Sequence, residues 1–72
     1  MSLLQVKKGQ YATIKELACQ GINHQRLIDL GINVGTKVKV IGFAPLGDPM
    51  VIEVDDCRIA IRKSDAKCLI IV

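Results

Sequence analysis

One histidine and three cysteines are the side chains most able to carry nucleophilic chemistry in this chain of 72 residues. His24 has no serine or cysteine beside it in sequence, although the thiols of Cys57 and Cys68 could approach it in the folded chain. Both thiols alternate with aliphatic residues, a pattern typical of cysteines that pack as small buried apolar groups. No glycine-rich loop precedes a Lys-Ser or Lys-Thr pair, so a phosphate-binding loop is not expected. We therefore predict no catalytic residues and no enzymatic activity.

A metal site needs several histidine, cysteine or carboxylate side chains at ligand spacing. The possible ligands here are His24, Cys19, Cys57, Cys68, Asp55 and Asp56. No two cysteines form a Cys-x-x-Cys pair, and the adjacent aspartates are better explained as the link of a hairpin. The histidine is expected to be exposed in the first turn of a helix. We predict no metal ligands and no cofactor.

Two prolines bracket the loop of residues 44–49, which separates two apolar runs. Pro45 suits the second position of a turn and Gly47 the fourth, while Pro49 forces Asp48 into an extended conformation. The loop is therefore expected to be stiff and to present one apolar side chain, Leu46. Two alternatives are open for that side chain. It binds a partner, with the prolines lowering the ordering cost of docking, or it folds back and caps the barrel end.

The net charge of +3 comes from scattered cations, and the only adjacent pairs are Lys7-Lys8 and Arg62-Lys63. A nucleic-acid binder neutralises roughly 6–10 phosphates with clustered lysines and arginines. This composition therefore predicts no nucleic-acid partner.

Three arginines are candidates for contacts with a partner. Arg58 and Arg62 flank Ala60 on an outer strand face, where they form a small cationic strip. The strip either meets an acidic partner surface or is solvated. Arg26 lies three residues before Asp29 on a predicted helix, so the two are expected to pair on the helix surface.

The length of the chain predicts one domain, residues 1–72, in which residues 1–8 are a lead-in. The longest uninterrupted apolar run, residues 68–72, is far shorter than the ~20 residues of a membrane-spanning helix, so no membrane insertion is expected. The N-terminus lacks the apolar stretch of a signal peptide. An odd number of widely spaced cysteines is unlike a secreted disulfide framework. We predict a cytoplasmic protein.

Short alternating segments predict five strands, at residues 10–17, 37–43, 50–54, 57–62 and 68–72. In the fourth strand, Cys57, Ile59 and Ile61 are expected to face inward. Asp55-Asp56 is expected to link the third and fourth strands as the shortest possible hairpin, since aspartate tolerates positive φ.

One helix of about two turns, residues 24–30, is predicted between the first and second strands, with Asn23 as its N-cap and Gly31 at its end. Ser64 is expected to cap a single helical turn at residues 65–67. Several short strands in so small a chain favour a mainly β fold, a small barrel of about five strands with one short helix. Closure of the barrel would remove the exposed sheet edges.

Four segments in this order and spacing resemble the FeoA family: RLIDLGI at 26–32, GTKVKV at 35–40, APLGDP at 44–49 and IAIR at 59–62. The similarity extends over residues 9–72, nearly the whole chain. It departs from the family at Asp55-Asp56-Cys57, where a glycine with an aromatic residue is common. The resemblance implies an SH3-like barrel.

The resemblance also implies a partner, the FeoB-like membrane GTPase that carries ferrous iron. FeoA-like chains are accessory or regulatory proteins of ferrous iron uptake, so the predicted function is non-enzymatic binding to that transporter. The same fold occurs as the C-terminal domain of metal-dependent transcriptional repressors, which gives an alternative, a regulatory module of that type. Self-association through the strands is compatible with either. The predicted partner-binding residues are Arg26, Pro45, Leu46, Gly47, Asp48, Pro49, Arg58 and Arg62.

Overall fold

A computed structural model describes residues 1–72 and contains five strands, two α-helices and a short N-terminal 3-10 helix. The 3-10 helix covers Leu3–Gln5, and the α-helices are α1 (Ile22–Asp29) and α2 (Lys63–Lys67). The strands are β1 (Tyr11–Leu17), β2 (Lys37–Phe43), β3 (Met50–Val54), β4 (Cys57–Ile61) and β5 (Leu69–Ile71). The five predicted strands and the helix between the first two are therefore confirmed. No helix reaches the length and apolarity that crossing a bilayer requires.

The strands form one antiparallel sheet in the order β4-β3-β2-β1-β5. The pairing of β2 with β3 shifts register between Val40 and Gly42, and that of β1 with β5 shifts between Ile14 and Glu16. Such irregularities bend a strand and increase its twist, which lets a short sheet curl around a core. No ladder joins β4 to β5, so β4 remains at an edge that the expected closure would have removed.

The core inside the curled sheet is aliphatic, as the composition requires. Its fully buried large side chains are Leu3, Ile14, Leu27, Ile32, Met50, Ile52, Leu69, Val38 and Val40. The alternation is clearest in β3, where Met50, Ile52 and Val54 are buried and the residues between them are half-buried. Helix α1 contributes Leu27, which is completely buried, and this burial holds the short helix on the sheet.

The hairpin between β3 and β4 has the predicted two-residue link. Asp55 and Asp56 both adopt positive φ, at 50° and 66°, as a type I′ turn requires. Ile61 is buried and Ile59 is half-buried, but Cys57 is exposed, so its predicted inward packing is wrong. Burial along the inner face of β4 falls from Ile61 toward the hairpin link, and Cys57 lies next to that link at the end of the strand.

Both helices begin earlier than predicted. Helix α1 starts at Ile22, and the carbonyl oxygen of Gly21 accepts from the N–H of Gln25, so Gly21 is the N-cap in place of Asn23. Helix α2 starts at Lys63 after Arg62, so Ser64 lies inside the helix and does not cap it. Neither cap residue uses its own side chain, and this is why the side-chain capping rules misplaced both starts.

Residues 1–8, which the sequence presents as a lead-in, contribute to the fold. Leu3 is completely buried in the core. Ser2 pairs with Ile70 on the outer side of β5, and the N–H of Ile71 donates to the carbonyl oxygen of Met1 at 3.0 Å. The N-terminus thus covers the β5 edge of the sheet.

Cys19 and Cys68 form a disulfide with a Cα–Cα distance of 5.2 Å. The sequence did not indicate this bond, since an odd number of widely spaced cysteines is unlike a disulfide framework. The two cysteines are 49 residues apart and come together because β5 pairs with β1. Cys57 is the remaining free cysteine and is exposed.

Candidate functional site

The proline loop, residues 44–49, is closed by two backbone hydrogen bonds. The N–H of Gly47 donates to the carbonyl oxygen of Ala44 at 2.7 Å, which is the turn predicted from Pro45 and Gly47. The N–H of Ala44 donates to the carbonyl oxygen of Pro49 at 2.9 Å. Leu46 lies at the tip and is 94% exposed, so the alternative in which it folds back onto the barrel end is wrong.

Asp48 joins the proline loop to helix α2. Its Oδ1 accepts a hydrogen bond at 3.1 Å from the backbone N–H of Lys63, the first residue of that helix. A carboxylate at this position satisfies one of the unpaired donors of a helix start, so the loop supplies the cap that Ser64 was expected to provide. The Asp48–Pro49 peptide bond is cis, a feature that the residue pattern did not indicate.

Arg26 and Arg62 converge on one buried carboxylate, that of Asp65. Nη2 of Arg26 lies 2.8 Å from Oδ2 of Asp65, and Nε of Arg62 lies 3.6 Å from the same oxygen. Asp65 is only 4% exposed, and a buried carboxylate needs such partners because burial removes its hydration. The predicted pairing of Arg26 with Asp29 is wrong, since Asp29 accepts from Gln25 at 2.9 Å.

The two arginines keep much of their surface open to solvent despite this pairing. The side chain of Arg26 is 42% exposed and that of Arg62 is 58% exposed. Two guanidinium groups on one carboxylate leave one net positive charge. The cluster therefore combines a structural role with a surface that remains able to attract an acidic group.

The structure brings Arg62 and the proline loop together and leaves Arg58 apart. Met50 pairs with Ile61, so Arg62 follows β4 at the level where the loop enters β3. Arg58 lies four residues earlier, on the exposed face of β4 opposite Glu53, and has no salt-bridge partner. At a rise of about 3.4 Å per residue, it lies roughly 14 Å from Arg62 along the strand.

Two exposed apolar residues and one lysine belong to the same region and were missed from the sequence. Ile22 is 83% exposed and lies one turn before Arg26 on α1, so the two share a helix face. Phe43 is exposed at the base of the proline loop, opposite Met50. Lys63 approaches Gly47 through its side chain. The early start of α1 hid Ile22, and no local pattern distinguishes Lys63 from other surface lysines.

The possible metal ligands named above do not assemble. Nowhere in the structure do three histidine, cysteine, aspartate or glutamate side chains lie close enough to hold one ion together. His24 is in the first turn of α1 as predicted, but it is half-buried where exposure was expected.

The whole chain, residues 1–72, matches the FeoA domain family. A FeoA protein of Chlorobium tepidum is 34% identical and superposes with a TM-score of 0.92, covering 99% of this chain and 68% of that one. FeoA of Stenotrophomonas maltophilia, determined in complex with zinc and described as a prokaryotic SH3 domain protein, has 25% identity and a TM-score of 0.86. The superposition covers all of this chain and 89% of the Stenotrophomonas protein. The predicted SH3-like fold is thereby confirmed.

Two further similarities bear on partners and on fold. A fusion of Fe(2+) transport protein A with the Fe(2+) transporter FeoB, from Porphyromonas gingivalis, is 29% identical over 66 residues, which cover 92% of this chain. This chain spans 8% of the length of that relative. A manganese-dependent transcriptional repressor superposes with a TM-score of 0.89 over 40% of its length at 12% identity, a likeness of fold alone. The match over all residues shows that this chain belongs to the FeoA domain family.

Proposed function

We propose that this chain is a non-enzymatic accessory protein of ferrous iron uptake that binds the cytoplasmic part of a FeoB-type transporter. The fusion relative supports this partner, because two domains joined in one polypeptide commonly act together. The observation that carries the proposal within this chain is Leu46, a large apolar side chain held in solvent by a hydrogen-bonded turn.

The proline loop provides the apolar centre of the proposed contact. A lone exposed leucine is ordinary on a protein surface, but this one is held by a turn with two prolines and by the bond from Lys63 to Asp48. A loop whose backbone is already held in one conformation loses less entropy on binding. Burying it in an apolar pocket of the transporter contributes about 1.5–3 kcal/mol.

Positive side chains surround this apolar centre and define the chemistry of the partner surface. Lys63 lies against the loop, and Arg62 and Arg26 follow around Asp65. A partner surface with acidic groups around an apolar pocket is complementary to this arrangement. Arg58 lies further along β4 and belongs to the periphery of the contact.

Docking changes the transporter only if the chain prefers one of its conformations. An accessory protein of this kind alters GTP turnover or assembly of the transporter without performing any chemical step. The proposal therefore predicts that binding to the isolated cytoplasmic part of the transporter depends on the nucleotide bound there.

A binding measurement with the purified cytoplasmic part of the transporter tests the proposal. Leu46→Asp is expected to weaken binding about tenfold or more, because it removes the apolar contact and places a charge in the pocket. Val34→Asp is the matched control, since Val34 is also an exposed apolar residue in a turn but lies before β2, at the opposite end of that strand from the proline loop. A folded Leu46→Asp variant that binds as tightly as the unchanged chain contradicts the proposal.

A further inference from the structure

One edge of the sheet is open, and the register of the hairpin fixes which backbone groups it presents. In a two-residue type I′ hairpin the flanking residues, Val54 and Cys57, exchange hydrogen bonds with each other. Bonded and non-bonded pairs alternate along an antiparallel ladder, so the pairs containing Arg58 and Ala60 are non-bonded. Their N–H and C=O groups therefore point away from β3.

No other part of the chain covers these groups. Strand β4 is an edge strand of the sheet, paired with β3 alone, and the side chains of Cys57, Arg58 and Ala60 are all exposed. The opposite edge is different, because Met1 and Ser2 bond to β5 there. Exposed strand edges pair readily with further strands unless they are covered or blocked by charge.

The charges along the β4 edge have opposite signs at its two ends. The acidic end is the hairpin link, Asp55 and Asp56, and the basic end is Arg62 with Lys63. Of the two basic side chains, only that of Arg62 contacts an acid of its own chain, Asp65, and it does so at 3.6 Å. An edge with this polarity is complementary to a copy of itself that runs antiparallel.

We propose that the β4 edge is a self-association surface, on which a second copy of this chain adds its own β4 in antiparallel orientation around a two-fold axis at Ile59. In this register the backbone N–H and C=O of Arg58 form hydrogen bonds with those of the partner's Ala60. By symmetry, Ala60 forms the same hydrogen bonds with the partner's Arg58. The outward groups of both residues are then paired in both copies.

The side chains select this register over its neighbours. Just beyond each end of the ladder, Arg62 and the start of α2 at Lys63 lie beside the partner's acidic link, Asp55 and Asp56, so both ends bring opposite charges together. Arg58 faces the small side chain of the partner's Ala60. Sliding the partner strand by two residues in one direction places Arg58 opposite the partner's Arg58. Sliding it by two residues in the other direction places Arg58 opposite the partner's Arg62. Both shifts oppose like charges.

The resulting dimer is weak and exchanges rapidly. A ladder of one short strand from each copy buries far less than the ~800 Å² per partner of a standard stable interface. Association is therefore expected to be visible only at high protein concentration, and to weaken as salt screens the end charges. Sedimentation velocity of the full 72-residue chain up to about 1 mM, the range of weak dissociation constants, detects it.

Ala60→Pro is the sharpest test variant. Proline at this position removes the outward N–H. Because that N–H does not bond to β3, the ladder between β3 and β4 loses no hydrogen bond. The variant is expected to reduce the association constant at least about tenfold, whereas Ala60→Thr, which keeps the N–H and favours a strand, associates as the unchanged chain does. Unchanged association of Ala60→Pro overturns the proposal, as does a chain that stays monomeric throughout the concentration range.

Lys63→Glu tests the charges and does not depend on how well a proline is tolerated. It places a negative side chain beside the partner's acidic link, Asp55 and Asp56, at both ends of the ladder, so association is expected to fall about tenfold or more. Lys7→Glu makes the same charge change at an exposed residue away from the β4 edge and is expected to associate normally. Equal loss in both variants means that only net charge matters, and it overturns the proposed register.

A spin label on the exposed free Cys57 reports the geometry directly. In the proposed register the two Cys57 Cα atoms lie about 14 Å apart, from four residues of strand rise and one strand spacing. Dipolar broadening of the nitroxide spectrum is expected at high concentration and is lost when labelled protein is diluted with unlabelled protein. A dimer without this broadening uses another surface and overturns the proposal.

Discussion

The carboxylate of Asp48 accepts a hydrogen bond at 3.1 Å from the backbone N–H of Lys63, a residue 15 positions further along the chain. A single contact thus caps helix α2 and braces the loop that presents Leu46. The stability of the fold and the order of the proposed binding loop are coupled through it. Loss of this bond is expected to affect both.

Asp48→Ala is expected to lower the free energy of unfolding by about 1 kcal/mol, the usual cost of removing a side-chain cap. In a domain of this size that corresponds to a fall in Tm of roughly 4–8 °C. Thermal unfolding followed by circular dichroism measures the change. Asp48→Asn keeps an acceptor oxygen and is expected to lose less. A Tm of Asp48→Ala equal to that of the unchanged chain shows that the contact does not stabilise the fold.

The arginines around Asp65 are expected to differ in their contribution to stability. Arg26 approaches the carboxylate to 2.8 Å and Arg62 only to 3.6 Å, so Arg26→Ala removes the stronger hydrogen bond to a buried charge. We expect Arg26→Ala to cost about 1–3 kcal/mol and Arg62→Ala less. Urea unfolding compares both with Arg58→Ala, in which no ion pair is lost. The expectation fails if Arg62→Ala is the more damaging of the two.

The contrast between the hairpin and the Asp65 cluster shows what the sequence could predict. The link at Asp55 and Asp56 was predictable, because a two-residue turn depends only on the residues in it and the alternation on either side. The pairing of Arg26 with Asp65 was not, because these residues are 39 positions apart and meet only when α1 and α2 pack together. Sequence rules favoured the nearby Asp29, which lies on the same helix.

The same distinction applies to the proposed binding residues. The turn around Leu46 follows from proline and glycine chemistry, so its geometry was predictable. Ile22 and Lys63 join the region only because α1 starts one residue before Asn23 and because the Asp48 carboxylate reaches across to α2. Helix caps provided by the backbone or by distant side chains leave no local signal.

Suitable substitutions in the hairpin link are expected to stabilise the fold. Asp55 and Asp56 both adopt positive φ, a conformation that is unfavourable for residues with a Cβ atom. Replacing the pair by Asn-Gly, the preferred type I′ sequence, is expected to raise the free energy of unfolding by about 1 kcal/mol. Replacing the pair by Ala-Ala is expected to lower it. Urea unfolding of the two double variants measures the difference. The opposite order of stabilities is incompatible with the type I′ geometry.

Cys57 is expected to be the site at which thiol reagents modify the folded protein. It is exposed at the start of β4, whereas Cys19 is buried and joined to Cys68. Alkylation of the native protein, followed by mass spectrometry, is therefore expected to add one reagent molecule, located at Cys57. Cys57→Ser is expected to add none under the same conditions, while denaturation with a reductant exposes the remaining two thiols. Rapid labelling of Cys19 or Cys68 in the folded, unreduced chain contradicts the disulfide between them.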